Sequence, residues 1–164
     1  RLQSGRVRFQ MAPVAIGELI EEIAALLRPQ LDRLNLTFNV QLPDPPIRVI
    51  GDRERLRQVI VNLASNAIKY NRPNGSVLIK VTPPDAGQYV TLSVSDTGRG
   101  IPAKDLPHIF EKFYRVADSE GYAQGTGLGL NIVRQIVEAH GSHVEVDSEV
   151  DRGTTFRFTL KAAR

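Results

Sequence analysis

Apolar residues recur at helical spacing in three separate stretches of the chain. In the first stretch they are Ile16, Leu19, Ile20, Ile23, Leu26, Leu27, Leu31 and Leu34. The second stretch carries Leu56, Val59, Leu63 and Ala67, and the third carries Ile132, Val133, Ile136 and Val137. This spacing predicts three amphipathic helices that each bury one face. Pro29 predicts a kink or an end in the first helix. For this helix, packing against a second copy in a dimer is the alternative to packing in the core.

Alternation of apolar and polar residues predicts strands around these helices. Residues 36–40 are expected to form a short strand, and residues 77–81 and 90–94 a hairpin across a turn at 83–88. Residues 47–50 lead into Gly51-Asp52, where Asp52 is expected to cap the second helix. Val144 and Val146, with Phe156, Phe158 and Leu160, are expected to close the sheet. The predicted fold is α/β, an α+β two-layer sandwich with one mixed sheet against three helices.

Composition limits the kind of protein. A length of 164 residues with 41% apolar content provides one well-buried domain. The net charge of +3 comes from Arg1, Arg6 and Arg8, since the rest of the chain has equal numbers of acidic and basic residues. We therefore expect no nucleic-acid surface. The chain has no cysteine, which excludes disulfide and thiol chemistry, and its longest purely apolar run, residues 23–27, is too short to span a membrane.

Two glycine clusters are the first candidate binding segments. Residues 96–100 read Asp-Thr-Gly-Arg-Gly, and residues 125–130 read Gly-Thr-Gly-Leu-Gly-Leu. Glycine lets backbone N–H groups approach an anion closely, and the Asp96 carboxylate can accept a hydrogen bond from an exocyclic amine. Each cluster taken alone is equally well explained as a turn or a helix start.

The second predicted helix adds a polar stripe. Gln58, Asn62, Asn66 and Lys69 fall on one face at 100° per residue. A solvated face is the ordinary explanation, but asparagine is a poor helix former and this face has almost no carboxylate. Asparagine oxygens and a lysine ammonium suit a hydrated Mg²⁺ ion and phosphate oxygens. We therefore predict that this face contacts a ligand.

The order of these motifs resembles a known family. Asn62-x-x-x-Asn66-Ala-x-Lys69-Tyr70 precedes Asp96-x-Gly98-x-Gly100, which is followed by Phe110-x-x-Phe113-Tyr114-Arg115 and by Gly125-Thr-Gly127-Leu-Gly129-Leu. This series is similar to the N, first glycine, F and second glycine boxes of the catalytic, ATP-binding domain of bacterial two-component sensor histidine kinases. The similarity extends over about residues 14–160 and includes Gly153-Thr-Thr-Phe156.

The resemblance implies the GHKL (Bergerat) fold, whose sheet is mostly antiparallel and whose ATP lid lies between the F box and the second glycine box. It implies that residues 1–13 are a truncated linker from a dimerisation and phosphoacceptor domain. Residues 14–164 would then be the catalytic, ATP-binding domain.

The resemblance also implies a role for each matching residue. Asp96 would accept the adenine amine, with Thr154 supporting the ring through water. Asn62 would coordinate Mg²⁺, and Tyr114 and Arg115 would reach toward the γ-phosphate. Asn62, Lys69 and Arg115 are the expected catalytic residues. The other expected contacts to ATP or ADP are Asn66, Tyr70, Gly98, Gly100, Ile101, Gly125, Thr126, Gly127, Leu128, Gly129 and Leu130.

Position 58 separates kinases from ATPases within this superfamily. The resemblance implies that hydrolysing relatives carry a glutamate four residues before the Mg²⁺-binding asparagine, whereas this chain has Gln58. A carboxamide cannot act as a general base near neutral pH. We therefore expect slow hydrolysis and a γ-phosphate that is kept for another acceptor.

The histidine that accepts the phosphoryl group is expected on a different domain. His108, His140 and His143 are the three histidines, and none lies in the acidic, polar helical context of a phosphoacceptor. The implied partners are the dimerisation and phosphoacceptor domain of the full-length protein and, indirectly, a response regulator. The fragment itself is expected to be monomeric and to be a cytoplasmic domain, and membrane anchoring of its parent is left open. A nucleotide-sensing module without efficient transfer and a GHKL ATPase remain as alternatives.

Overall fold

The computed structural model of the chain describes residues 8–114 and 129–164. Three α-helices lie within these residues, α1 (Ile16–Arg33), α2 (Arg53–Lys69) and α3 (Gly129–Ala139). The strands of the same residues are β1 (Ala12–Ala15), β2 (Thr37–Gln41), β3 (Arg48–Gly51), β4 (Ser76–Val81), β5 (Tyr89–Asp96), β6 (Glu145–Glu149) and β7 (Gly153–Lys161). The three helices and the hairpin lie where the sequence pattern predicts them.

Five of the described strands form one sheet in the order β2-β4-β5-β7-β6. β2 is parallel to β4, and the other three pairings are antiparallel. The prediction of a mixed, mostly antiparallel sheet is therefore confirmed. β7 lies between β5 and β6, so that the C-terminal part of the chain completes the sheet beside the strand that carries Asp96.

One face of the sheet forms the core with the helices. Val77, Ile79, Val90, Leu92 and Phe158 alternate with half-exposed positions along their strands, and each is at most 2% exposed. The opposite face carries polar pairs such as Ser95 with Thr155. This one-sided burial confirms the two-layer sandwich.

Helix α1 departs from its prediction at two points. It continues through Pro29 to Arg33, so a helix end at Pro29 is wrong, while a kink there stays a prediction. Leu31 is fully buried beyond the proline, and its packing supplies a tertiary reason for the helix to continue. Leu26 and Leu34, which the apolar stripe placed in the core, are 63% and 50% exposed.

A second, two-stranded sheet was not predicted. β1 pairs antiparallel with β3, with Ala12 opposite Gly51 and Ala15 opposite Arg48. The residues expected only to lead into α2 thus include β3, which lies outside the main sheet. The expected boundary between linker and domain, at residues 13 and 14, falls inside β1.

Asp52 caps the N-terminus of α2, as predicted. Its side chain accepts a hydrogen bond from the backbone N–H of Arg55. Leu56, Val59, Leu63 and Ala67 are all buried, so this stripe faces the core. The polar stripe beside it consequently turns away from the core and toward the candidate site.

Candidate nucleotide-binding site

The polar face of α2 supplies the amide and ammonium groups of the site. Asn62 and Asn66 are half-buried, and Lys69 is exposed in the last turn. Neither carboxamide makes a hydrogen bond to the described residues, whereas the Lys69 ammonium lies 5.7 Å from the ring of Tyr70. The carboxamide oxygens are therefore available to a hydrated divalent cation or to phosphate-bound water.

Asp96 lies at the end of β5, where it pairs with Thr154 of β7. The backbone N–H of Gly98 donates to Asp96 Oδ1 at 2.8 Å. Burial raises the pKa of Asp96 from 3.8 to about 6, against the opposing effect of backbone hydrogen bonds from Gly98 and Thr154. A half-buried carboxylate at the end of a strand is suited to accept a hydrogen bond from an amine of a bound base.

A hydroxyl pair supports this end of the sheet. Thr154 is buried, and its Oγ1 lies 2.7 Å from Ser148 Oγ on β6. Ser148 Oγ also accepts a hydrogen bond from the Ile101 N–H at 2.8 Å. Ser148 was not predicted, because a single serine in an edge strand has no distinctive sequence signal.

The first glycine loop passes very close to the C-terminus of α2. A Cβ on Gly98 would lie 2.3 Å from the carbonyl oxygen of Tyr70, which accepts the Arg99 N–H at 3.2 Å. Gly100 has φ +75°, and a Cβ there would lie 2.2 Å from the carbonyl oxygen of Glu149. Side chains are excluded at both glycines, so Asp96 is held beside the end of the helix that carries Asn66 and Lys69.

Arg72 fixes the same loop from outside. Its Nη2 donates to the carbonyl of Gly98 at 3.2 Å and to that of Asp151 at 2.6 Å. The Asp151 N–H in turn donates to the carbonyl of Arg99 at 2.8 Å. Arg72 was not predicted, since an arginine after a helix end is more often a solvated surface residue.

Tyr114 is directed at a buried carboxylate. Its hydroxyl donates a hydrogen bond to Oδ1 of Asp105, and its ring stacks on His108 with centroids 5.4 Å apart. Asp105 is 2% exposed, and its hydrogen bond raises the pKa of Tyr114. Contact between Tyr114 and a γ-phosphate stays a prediction.

Gly129 and Leu130 form the first turn of α3, which is linked to the F-box segment by Asn131. The Nδ2 of Asn131 donates to the carbonyl of Phe110 at 3.1 Å, and its Oδ1 accepts from Gln135 at 2.8 Å. Asn131 is 6% exposed. Its position next to the glycine box is visible in the sequence, but its burial is not.

Several expected contacts lie outside the described residues. These are Arg115, Gly125, Thr126, Gly127 and Leu128, together with the flap expected at residues 115–124. Their roles stay predictions.

Within residues 8–114 and 129–164, no group of three or more His, Cys, Asp or Glu side chains could hold a metal ion. Asn62 stays the predicted Mg²⁺ ligand, and a carboxamide oxygen fits Mg²⁺ that is bound mainly through water and phosphate. Across the same residues, no helix has the length and apolar character needed to cross a membrane.

Comparison with known proteins places this geometry in a family. The family of histidine kinase-, DNA gyrase B-, and HSP90-like ATPases matches residues 51–164. The adaptive-response sensory kinase SasA of Synechocystis sp. is 38% identical over 152 residues, which cover 93% of this chain and 39% of SasA. The chain thus spans about two fifths of the length of that relative.

Two solved structures share the fold. Full-length ShkA in complex with AMPPNP has a TM-score of 0.86 at 32% identity, over 99% of this chain and 33% of ShkA. The catalytic domain of histidine kinase ThkA has a TM-score of 0.81 at 31% identity, over 93% of this chain and 96% of that domain. The chain therefore belongs to the family of histidine kinase-, DNA gyrase B-, and HSP90-like ATPases and has the fold of a sensor histidine kinase catalytic domain.

Proposed function

We propose that the chain binds Mg·ATP and transfers its γ-phosphoryl group to a histidine on a separate dimerisation and phosphoacceptor domain. Asp96 accepts the adenine amine, and Thr154 supports the ring through water. Asn62 holds Mg²⁺, with Asn66 and Lys69 at the phosphates. When bound, the cation neutralises phosphate charge, and the protein contributes positioning and further charge stabilisation.

The contact between Gly98 and the end of α2 supports this proposal most strongly. Gly98 orients the Asp96 carboxylate and also lies against the Tyr70 carbonyl. The Asp96 carboxylate, which is suited to bind the amine of a base, therefore adjoins the end of α2, whose side chains are suited to bind phosphates. This is the arrangement that an adenine nucleotide requires.

Gln58 favours transfer over hydrolysis. It is half-buried on α2, one helical turn before Asn62. Because its carboxamide cannot take a proton from water near neutral pH, it leaves the γ-phosphoryl group for a better nucleophile. An imidazole from another domain is such a nucleophile.

The contacts of the chain's own histidines also favour a separate acceptor. His108 Nδ1 lies 2.9 Å from a Glu111 carboxylate oxygen, and both ring nitrogens of His140 have backbone partners. His143 is exposed just before β6 and lies outside any helix. We further propose a response regulator as the indirect downstream partner, a cytoplasmic location and a monomeric fragment.

The test is transfer of label from γ-labelled ATP to a supplied phosphoacceptor domain. The proposal predicts acid-labile, base-stable label on the acceptor histidine that depends on this chain and on Mg²⁺. Tight nucleotide binding without label on any acceptor supplied would instead support a nucleotide-sensing module. Failure to bind adenine nucleotide at all would refute both functions.

A further inference from the structure

A cluster far from Asp96 joins the N-terminal segment to two helices. We name Phe9, Gln10, Asp52 and His140 the N-terminal clamp. The backbone N–H of Gln10 donates to Asp52 Oδ2 at 2.8 Å, and the backbone N–H of Asp52 donates to His140 Nε2 at 3.1 Å. Three segments that are distant in sequence are therefore connected by consecutive hydrogen bonds.

His140 has a defined role in this cluster. Its Nδ1 lies 2.8 Å from the carbonyl oxygen of Ile136, so Nδ1 carries the proton and Nε2 is the acceptor. Phe9 meets the ring edge-on at a centroid distance of 5.4 Å, and a Cβ on Gly51 would lie 3.3 Å from it. Packing and hydrogen bonding thus fix the position of the ring.

Asp52 serves two segments at once. Its Oδ1 caps α2 through the Arg55 N–H at 3.1 Å, while its Oδ2 accepts the Gln10 N–H. The Arg55 guanidinium lies 5.7 Å from the centre of the Phe9 ring. A displacement of residues 9 and 10 would therefore disturb the start of α2 directly.

The clamp sits at one end of a packed helix pair. α2 packs against α3, and the first residue of α2 and the last residue of α3 both adjoin the clamp. The two helices therefore run antiparallel. Because α3 has 11 residues and α2 has 17, the start of α3 at Gly129 lies beside the middle of α2, near Asn62. Because helices are stiff, a shift at the clamp end of this pair changes how Asn62 and the start of α3 are placed relative to each other.

We propose that His140 is a positioning residue that couples the segment N-terminal to the domain with the nucleotide site. The inference rests on the proposed function, in that α2 and the start of α3 contact the nucleotide. Displacement of Phe9 and Gln10 passes to Asp52 and His140, and changes the separation of the two helices. Nucleotide affinity then depends on how the N-terminal segment is held.

A double-mutant cycle on the full chain tests this coupling. The variants are Phe9→Ala, His140→Leu and their combination, and the measured quantity is the affinity for Mg·AMPPNP by isothermal titration calorimetry. We expect Phe9→Ala to weaken binding about fivefold in the parent, and much less when His140 is already replaced. His140→Gln keeps an acceptor near the Asp52 N–H and should restore most of the affinity. His143→Leu, at an exposed histidine, is the matched control and should leave affinity unchanged.

Additive effects in the cycle, or an unchanged affinity in His140→Leu, would overturn the inference. Amide hydrogen exchange without nucleotide provides the second measurement. Phe9→Ala should increase exchange around Asn62 in α2 and in the first turn of α3, and an increase confined to the neighbourhood of residues 9, 52 and 140 would also overturn it. A parent chain that binds no nucleotide would refute the proposed function, and the exchange data would still decide on the clamp.

Discussion

The backbone N–H of Gly98 donates a 2.8 Å hydrogen bond to the carboxylate of Asp96. This short loop contact fixes the direction of the side chain at the end of β5, where burial raises its pKa to about 6. Asp96 is thereby presented as an oriented hydrogen-bond acceptor next to the end of α2. Its charge and its neighbours both lead to measurable predictions.

Asp96→Asn should weaken binding of adenine nucleotides. The substitution replaces an acceptor by a carboxamide that also carries donors, and loss of a hydrogen bond to a charged group costs about 1.5–3 kcal/mol. Calorimetric titration with Mg·ADP measures the effect. A dissociation constant within twofold of the parent value, with guanine nucleotides still excluded, would remove Asp96 from adenine recognition.

Adenine affinity should fall as the pH drops below about 6. A donor on the base favours the Asp96 carboxylate, so the protonated acid must lose its proton before it can accept the amine. Nucleotide phosphates also titrate near pH 6, and Asp96→Asn is therefore the control that isolates the carboxylate. Equal pH profiles for the parent and this variant would contradict the assignment.

The same pKa predicts how the stability of the nucleotide-free chain depends on pH. The pKa of Asp96 is about 6 in the folded chain against an ordinary value of 3.8, so between these values the folded state binds more protons than the unfolded state. The contribution of Asp96 is therefore most favourable below about pH 4 and is lost as the pH rises through about 6. A pKa difference of this size corresponds to about 3 kcal/mol. Urea unfolding should show that Asp96→Asn gains stability relative to the parent over this range.

Gly98→Ala should lower both stability and nucleotide affinity. The new Cβ would lie 2.3 Å from the Tyr70 carbonyl and 2.9 Å from Asp96 Oδ1, so the loop must move away from α2. We expect a loss of about 1–3 kcal/mol in the free energy of unfolding, as for other overpacked sites. Gly17→Ala is the control, because its Cβ would meet only the flexible end of Leu42, at 3.3 Å. Equal behaviour of the two variants would contradict the close contact.

Much of the fold could be predicted because helical and strand periodicities are local signals. The buried stripe of α2, the hairpin of β4 and β5 and the Asp52 cap all follow from spacing and residue type. Leu26 and Leu34 were assigned wrongly because periodicity alone cannot tell where the covering layer ends. The pairing of β1 with β3 was missed because it joins residues 33 to 39 positions apart in four-residue strands.

The residues of the candidate site likewise fall into those that the sequence predicts and those that it does not. Asn62, Asn66, Lys69 and Asp96 belong to motifs, whereas Arg72, Asp105, Asn131 and Ser148 act through contacts between distant segments. Polar residues of this second kind have the sequence appearance of a solvated surface. Burial distinguishes Asp105 and Asn131, whereas hydrogen bonds to distant segments distinguish Arg72 and Ser148. Asp105 is the clearest example, because it looks like an ordinary loop aspartate and is 2% exposed.

Gln58→Glu should raise slow ATP hydrolysis while leaving nucleotide binding nearly unchanged. The new carboxylate could accept a proton from water one turn before Asn62, which the carboxamide cannot do. Phosphate release in the absence of an acceptor measures this, with Gln58→Ala as the control that lacks any base. A similar increase in both variants would contradict the general-base explanation.

In the proposed function, the γ-phosphoryl group is kept for a histidine on another domain and is not given to water. The most direct measurement is the partition of label from γ-labelled ATP among the supplied acceptor domain, free phosphate and this chain. We predict label on the acceptor histidine, none on His108, His140 or His143, and acceptor-independent turnover far below the enzyme median of about 10 s⁻¹. Rapid release of free phosphate by the unmodified chain without acceptor would contradict the kinase assignment and favour an ATP-driven conformational machine.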